Sequence, residues 1–238
     1  MKTNSAEIHA EIPKEPGASP ARIHELKGFE KVLEKFFSFC ARMIVKATYK
    51  LEYIDFDKIP KDGPAILIAN HITYMDGLLI HGQLRRRVHF LIDEFIYKLP
   101  LVNFFMRLDQ AIPIAPNRVS VSMALDMMTD VLAKGDILCL FPEGQLTYTG
   151  HLGHFKPGIE WIIKRYPVKV YPVVIEGMWG SVFSRKYRKS KSRWIPRSFR
   201  RKVTIMCGDP VTPDNIKAYH LQTIINEMRQ MLHDNEGQ

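Results

Sequence analysis

The hydrophobic pattern of this chain alternates between short apolar runs and longer amphipathic segments. Short apolar runs bounded by turn residues predict strands. They lie at residues 65–69, 88–92, 111–114, 136–141, 170–174 and 203–207. Apolar positions at helical spacing predict helices at residues 77–84, 95–106, 119–134, 156–166 and 216–233. Strands separated by helices of this length predict an α/β fold, a single-domain layered sheet flanked by helices.

The N-terminal region divides into a polar part and an amphipathic part. Residues 1–22 are rich in Glu, Lys, Pro and Ser and lack the apolar core of a secretory signal, which predicts a disordered tail. Residues 23–50 predict an amphipathic helix, which either packs on the core of its own domain or lies in a membrane surface. Arg42 and Lys46 interrupt it, so no run reaches the roughly 18 apolar residues of a membrane span. Its apolar positions are Phe29, Val32, Leu33, Phe36, Phe37, Cys40, Met43, Ile44 and Ala47.

The positive charge of the chain is concentrated in one segment. The chain has 238 residues and a net charge of +9, from 34 basic and 25 acidic residues. Residues 185–202 contain ten Lys or Arg and no acid, so 24 basic residues remain elsewhere against all 25 acids. Tyr187, Trp194 and Phe199 are interleaved with these charges. Nucleic acid, an anionic membrane, an acidic protein and plain solvation all fit such a segment.

Cysteine and histidine positions indicate reduced thiols and no metal centre. Cys40, Cys139 and Cys207 are widely spaced, and the last two lie in predicted strands, which favours burial and a cytosolic setting. No cluster has the spacing of zinc ligands. His151 and His154 lie in a Gly-rich stretch and fit solvated loop histidines better than a metal site.

A histidine and a carboxylate follow the first predicted strand. His71 comes where the strand at residues 65–69 ends, and Asp76 follows five positions later at the predicted helix start. Histidine suits proton transfer near neutral pH, and a neighbouring Asp can hold its ring in one tautomer. The chain lacks a G-x-S-x-G nucleophile elbow, so the simplest inference is that the substrate supplies the hydroxyl. Alone, the pair also fits a capped helix start with a surface histidine.

A second polar motif ends the predicted strand at residues 136–141. It reads Pro142-Glu143-Gly144 and places a carboxylate at the edge of the sheet, where the sites of α/β proteins gather. An ordinary turn is the alternative interpretation. The two features in this order are much less expected by chance than either one separately.

Together these motifs resemble the glycerophospholipid acyltransferases of the lysophosphatidic acid acyltransferase type. Asn70, His71 and Asp76 match the first motif of that family, Asn-His-x-x-x-x-Asp, and residues 141–144 match its third, Phe-Pro-Glu-Gly. Residues 108–114 and 170–174 are similar in position and pattern to the second and fourth motifs. The resemblance covers roughly residues 51–210 and implies a glycerolphosphate-acyltransferase-like fold over residues 51–238.

Two departures from the family pattern concern arginines that the family uses for the acceptor phosphate. The second motif usually ends in Asp-Arg, where this chain has Ala115-Pro116. The third usually continues Thr-Arg-Ser, where this chain has residues 145–147, Gln-Leu-Thr. The following Thr147-Tyr-Thr-Gly150 looks more like the 2-acylglycerophosphoethanolamine acyltransferase branch.

The resemblance implies a peripheral membrane enzyme at the cytoplasmic face. It would move a fatty acyl group from acyl-CoA or acyl carrier protein to a lysophospholipid hydroxyl of the 1-acylglycerol-3-phosphate or lysophosphatidylethanolamine type. These thioesters are substrates, so no cofactor is implied, and an anionic membrane is the expected partner rather than nucleic acid. A non-catalytic lipid-binding protein that retains the fold is the alternative. The expected site residues are His71 as general base, Asp76 as its orienting partner, and Asn70, Glu143, Gly144, Arg118 and Lys156 for substrate binding.

Overall fold

The computed structural model describes residues 22–187 and 200–236. The predicted tail therefore lies outside the described residues except for its last position. Residues 188–199 of the basic segment also lie outside the described residues.

The centre of the fold is a seven-stranded sheet. Its order is β1-β7-β6-β2-β5-β3-β4, and all neighbouring strands are parallel except β6 and β7. The strands are β1 (Tyr49–Ile54), β2 (Ala65–Ala69), β3 (Val88–Asp93), β4 (Ile112–Ile114), β5 (Ile137–Leu140), β6 (Val170–Glu176) and β7 (Arg201–Cys207). Strand β2 lies at the centre of the sheet, between β6 and β5.

Seven α-helices of the described residues surround the sheet. They are α1 (Phe29–Thr48), α2 (Asp76–His81), α3 (Glu94–Tyr97), α4 (Pro100–Leu108), α5 (Arg118–Ala133), α6 (Gly158–Arg165) and α7 (Ala218–Glu236). Within the described ranges, none of these helices has the length and apolarity needed to cross a bilayer.

The sheet separates two hydrophobic cores, as strand β2 illustrates. All five of its residues are buried. Ile66 and Ile68 face a core built with α5, α6 and α7. Ala65, Leu67 and Ala69 face the opposite core, to which α2 and the end of α1 contribute. Because successive side chains of a strand point to opposite faces, an unbroken apolar run is what a doubly covered strand requires.

Each strand predicted from an apolar run is present, with boundaries shifted by up to two residues. Helix α5 ends at Ala133, just before Gly135, as the sequence predicts. Cys139 and Cys207 are buried and free, and burial raises the pKa of both thiols. The predicted α/β layered sheet is therefore confirmed.

Two details of the prediction were wrong. The single helix expected at residues 95–106 is two helices, α3 and α4, because Pro100 disfavours a helical conformation at Leu99, which is extended. Strand β1 was not predicted. The amphipathic pattern of residues 23–50 continues into Tyr49 and Lys50, whereas α1 ends at Thr48 and these two residues pair with β7.

Most apolar side chains of helix α1 are exposed or half-exposed, and Val45 is its one buried residue. Phe37 contacts the rings of Phe104 and Phe105 of α4, at centroid distances of 6.1 and 5.2 Å. These contacts join α1 and the α3–α4 segment into one exposed area, which we call the apolar surface. Its exposed members are Phe29, Val32, Phe36, Phe39, Met43, Ile44, Phe95, Leu99, Leu101, Phe104 and Phe105.

Candidate active site

The residues of the first and third motifs meet at the carboxyl ends of β2 and β5. These strands are adjacent and parallel, with Ile68 opposite Leu140. His71 and Glu143 follow their last residues at equivalent places, so the sheet register brings them together. The backbone N–H of His71 donates a 2.8 Å hydrogen bond to Glu143 Oε1. This edge of a parallel sheet is where α/β proteins bind their ligands.

Asp76 is fully buried at the start of α2 and accepts four hydrogen bonds. Its Oδ2 accepts from the backbone N–H groups of Ile72 and Thr73, at 2.6 and 2.9 Å, and from His71 Nδ1 at 2.9 Å. Its Oδ1 accepts from the Thr73 hydroxyl at 2.7 Å. These donors satisfy the carboxylate without water, which explains how a charged group is tolerated there. The five-residue spacing works because the loop between the two residues folds around the carboxylate.

The His71 ring is held in one orientation by Asp76 and by Phe141. The Phe141 ring stacks on it at a centroid distance of 4.1 Å and an interplanar angle of 15°. Because a carboxylate can only accept, we assign the proton to Nδ1, which leaves a lone pair on Nε2. Nε2 has no hydrogen bond within residues 22–187 and 200–236, and the side chain keeps 21% exposure. The ring is thus arranged to accept a proton from a ligand.

Glu143 connects the His71 loop, which runs from Asn70 to Met75, to the Gly-rich loop after β5. Its Oε2 accepts from the backbone N–H of Gly153 at 2.6 Å, while Oε1 holds His71. Burial raises the pKa of Glu143, and hydrogen bonds from the two N–H groups oppose that rise. A Cβ added to Gly153 would lie 2.5 Å from Oε2, so only glycine allows this approach. Both carboxylate oxygens therefore serve to shape the site.

Asn70 has a structural role at the end of β2. Its Nδ2 donates to the Ile175 carbonyl at 2.9 Å, and its Oδ1 accepts from the Ile175 N–H at 2.8 Å. The side chain extends the pairing of β2 with β6 by one position after the strand backbone turns away. Asn70 is buried, and both polar atoms of its amide are engaged. These two bonds anchor the His71 loop, and the expected contact of Asn70 with substrate stays a prediction.

Gly144 and Lys156 lie together next to Glu143. Gly144 has a φ of 66°, and a Cβ there would meet the Lys156 ammonium at 2.5 Å. Lys156 is exposed, and its ammonium forms no hydrogen bond or ion pair with the part of the chain that the structure describes. Both residues were expected in the site, and the structure brings them next to Glu143.

A cavity of about 400 Å³ adjoins Glu143. Thr147 fixes its wall, since its N–H donates to the His71 carbonyl and its hydroxyl donates to the His151 carbonyl. The wall is formed by Glu143, Gln145, Thr147, Tyr148, Thr149, His151, Leu152, Gly153, His154 and Lys156. His151 and His154 are exposed there as expected for loop histidines.

Arg118 is not brought into this group. It is the exposed first residue of α5, after β4 at the far edge of the sheet, and β3 and β5 separate β4 from β2. The sequence suggested Arg118 because it comes just after the second motif. That motif contains β4, which lies three strands from β2, the strand that leads to His71.

Sequence reasoning missed several residues that build the site. Thr73 binds Asp76, Phe141 stacks on His71, and Gly153 holds Glu143. Thr73 left a local signal, since it lies three residues before a carboxylate at a helix start. Phe141 is the first residue of the third motif, but the sequence did not indicate that its ring stacks on His71. Gly153 approaches Glu143 only in the tertiary structure.

The fold and the site define a class of protein: an α/β protein with a hydrogen-bonded His–Asp pair at the carboxyl ends of parallel strands. A family model described as Acyltransferase matches residues 50–176, which include both motifs. The chain belongs to the Acyltransferase family.

Two relatives and one solved structure extend this result. A chloroplastic 1-acyl-sn-glycerol-3-phosphate acyltransferase of Arabidopsis thaliana is 25% identical over 157 residues, 63% of this chain and 43% of that protein. A Mycoplasma pneumoniae protein named "Probable 1-acyl-sn-glycerol-3-phosphate acyltransferase" is 24% identical over 184 residues, 75% of this chain and 68% of its own. This chain thus spans less than half of the chloroplast relative.

The crystal structure of the 1-acyl-sn-glycerophosphate acyltransferase PlsC from Thermotoga maritima has the same fold. It superposes with a TM-score of 0.63 and 23% identity, covering 90% of this chain and 85% of that one. The acyltransferase-like fold expected from the motifs is therefore confirmed.

Proposed function

We propose that this protein is a glycerolipid O-acyltransferase that acylates the free hydroxyl of a 1-acylglycerol-3-phosphate-type lysophospholipid. The observation that carries the proposal is the His71–Asp76 dyad, in which Asp76 fixes Nδ1 and leaves Nε2 available as a base. The names of the two relatives support a role in phospholipid biosynthesis.

In the proposed reaction His71 Nε2 accepts the proton of the acceptor hydroxyl as its oxygen attacks the thioester carbonyl. Asp76 stabilises the resulting imidazolium through the Nδ1–H bond. When the tetrahedral intermediate collapses, the C–S bond breaks and the imidazolium returns its proton to the departing thiolate. An ester and a free thiol are formed, and His71 is again neutral. No cofactor enters this sequence, since the donor is itself a substrate.

The acceptor head group and the acyl donor are finer points of the proposal. The relatives favour a 1-acylglycerol 3-phosphate acceptor, whereas the missing arginine after Gly144 and the following Thr147-Tyr-Thr-Gly150 favour a lysophosphatidylethanolamine type. Acyl-CoA and acyl carrier protein are both compatible donors. An assay of the purified protein with a panel of lysophospholipids, using each donor in parallel, tests the proposal. Inactivity with the whole panel would favour the alternative, a lipid-binding protein that retains the fold.

Lys156→Gln is expected to raise the KM for a phosphate-bearing acceptor about tenfold, with less effect on the donor KM. Lys156 provides an exposed ammonium over Gly144 at the cavity, and a hydrogen bond to a charged group contributes roughly 1.5–3 kcal/mol. Arg118→Gln is the matched control and should leave both KM values unchanged, because Arg118 lies at the far edge of the sheet. Steady-state kinetics in detergent would measure both. The opposite ranking would mean that Arg118 binds the acceptor.

We further propose that the apolar surface docks on an anionic membrane at the cytoplasmic face. Large exposed aromatic and aliphatic side chains from α1 and the α3–α4 segment form it, and such areas typically mark an interaction site. Helix α1, which carries part of this surface, packs against α2, whose first residue is Asp76. An enzyme placed this way would receive its lipid substrate directly from the bilayer. The basic residues 185–202 and three free cysteines fit a cytoplasmic, anionic surface.

Replacing Phe29, Phe36 and Phe39 together by Ser should lower partitioning onto phosphatidylglycerol vesicles roughly 100-fold. Burying each ring contributes on the order of 1 kcal/mol or more, even where insertion is partial. Flotation of the protein with vesicles would measure this effect, and activity in detergent should be retained. A Tyr219→Ser, Met231→Ser variant is the control, since both side chains are exposed on α7. Equal losses in the two variants would argue against a dedicated docking surface.

A further inference from the structure

The segment after β6 lies against the loop that carries His71. Ser184 forms an antiparallel backbone bridge with Thr73, which lies between His71 and Asp76. Its hydroxyl donates to the Ser181 carbonyl at 2.9 Å and accepts from the Gly180 N–H at 3.1 Å, which fixes the turn. The next residue, Arg185, is thus placed beside the active site by backbone contacts, although it lies beyond the residues that the family model matches.

Arg185 contacts Leu146, which stands where the family pattern has an arginine after the third motif. Its Nη1 donates to the Leu146 carbonyl at 3.2 Å, and its Cζ lies 4.4 Å from the centre of the Tyr148 ring. Leu146 is apolar and its side chain is buried, so this position supplies no charge to a ligand. Tyr148 forms part of the wall of the 400 Å³ cavity that also contains Lys156. The guanidinium therefore contacts a residue of the cavity wall, and this cavity is the acceptor site under the proposed function.

The guanidinium also has unused donors. Its Nε is buried and has no hydrogen-bond partner among the described residues. A buried N–H without a partner is costly, and arginine carries five N–H donors in a geometry that suits a phosphate group. One bond to Leu146 and the stacked Tyr148 orient the guanidinium. Its Nη2 forms no hydrogen bond with the described residues, and the side chain is only half-buried, so Nη2 can still donate to an anion.

We propose that Arg185 binds the phosphate of the acceptor lipid and thereby replaces, from the segment after β6, the cation that the third motif lacks. This inference rests on the proposed function. It makes Arg185 a specificity residue, whose contribution applies to acceptors that carry a phosphate. A purely structural role, in which Arg185 braces the Leu146–Tyr148 turn, would lower stability without distinguishing among ligands.

The test is a binding measurement that needs no turnover. Calorimetry without donor would compare 1-hexanoylglycerol 3-phosphate with 1-hexanoylglycerol, which has the same acyl chain and no phosphate. In Arg185→Gln the Kd of the phosphate-bearing ligand should rise about 10- to 100-fold, with that of 1-hexanoylglycerol unchanged. Arg185→Lys should recover part of the loss, since it keeps the charge and loses the planar fork. Lys186→Gln, an equal loss of charge at the neighbouring exposed residue, should bind as wild type does.

Other results would overturn the inference. Equal Kd values for wild type and Arg185→Gln would do so, and so would a wild type that binds both hexanoyl ligands equally well. A raised Kd for free coenzyme A in Arg185→Gln, with acceptor binding intact, would assign the residue to the donor instead. Equal weakening of both hexanoyl ligands with a lowered Tm would indicate the structural brace. Phosphate-dependent binding through Arg185 in a protein that transfers no acyl group would contradict the proposed function and leave this inference standing.

Discussion

His71→Ala is expected to fold normally and to lower kcat roughly 10²- to 10⁴-fold, the usual contribution of a general base. The substitution removes Nε2 and leaves Asp76 with its two backbone donors and the Thr73 hydroxyl, so the loop keeps its hydrogen bonds. Asp76→Asn should cost a comparable factor, because a neutral amide cannot stabilise the charge of the imidazolium that forms when His71 accepts the proton.

The measurement is single-turnover transfer to a lysophospholipid, with circular dichroism to verify folding. His24→Ala is a suitable control, since His24 also contacts a carboxylate, Glu30 at 3.4 Å, on an exposed part of the chain. A folded His71→Ala protein with wild-type turnover would show that the dyad is not the base.

Asn70→Ala should lower the free energy of unfolding by about 2–5 kcal/mol. The substitution leaves the buried N–H and carbonyl of Ile175 without partners, and each such group costs roughly 1–3 kcal/mol. Activity should fall as well, because Asn70 holds the chain just before His71. Asn70→Asp retains an acceptor for the N–H but places a carboxylate against the Ile175 carbonyl, so it should be destabilised too.

Urea unfolding monitored by fluorescence would measure this loss. Asn103→Ala is the matched control, because Asn103 donates a single bond, to the Tyr97 carbonyl, at a partly buried position and should lose about 1 kcal/mol. Unchanged stability in Asn70→Ala would mean that Ile175 finds other partners and that Asn70 is available to a ligand.

The layered α/β fold was predictable because its strands are buried on both faces. Such strands are recorded in the chain as unbroken apolar runs, and β2 and β6 are buried along their full length. Edge strand β1 carries Lys50 and Glu52 in a mixed pattern that follows a helix directly, so periodicity gave no boundary. Pro100 is a local signal for a helix break, but the apolar pattern continues across it and by itself predicts one helix.

The main parts of the site were also predictable. His71 and Glu143 follow the ends of adjacent parallel strands, which bring them to one edge of the sheet, and Asp76 begins the helix after the His71 loop. Arg118 lies three strands away from this group, because proximity to a motif in sequence says nothing about the order of strands, and its role in substrate binding stays a prediction. Asn70 was expected to bind substrate, whereas its amide continues a strand ladder that cannot be seen without the register of β2 and β6.

The amino-acid sequence by itself determined the local chemistry of this protein: a histidine and two carboxylates at strand ends, an amphipathic N-terminal segment and a concentrated positive charge. These properties depend on residue type and short-range spacing, which a chain carries whether or not it is folded. Only the tertiary structure decided which distant groups meet. Thr73 pairs with Ser184, which carries Arg185 to Leu146, and Gly153 approaches Glu143. Such contacts arise from strand order and loop packing, so no local pattern in the chain records them.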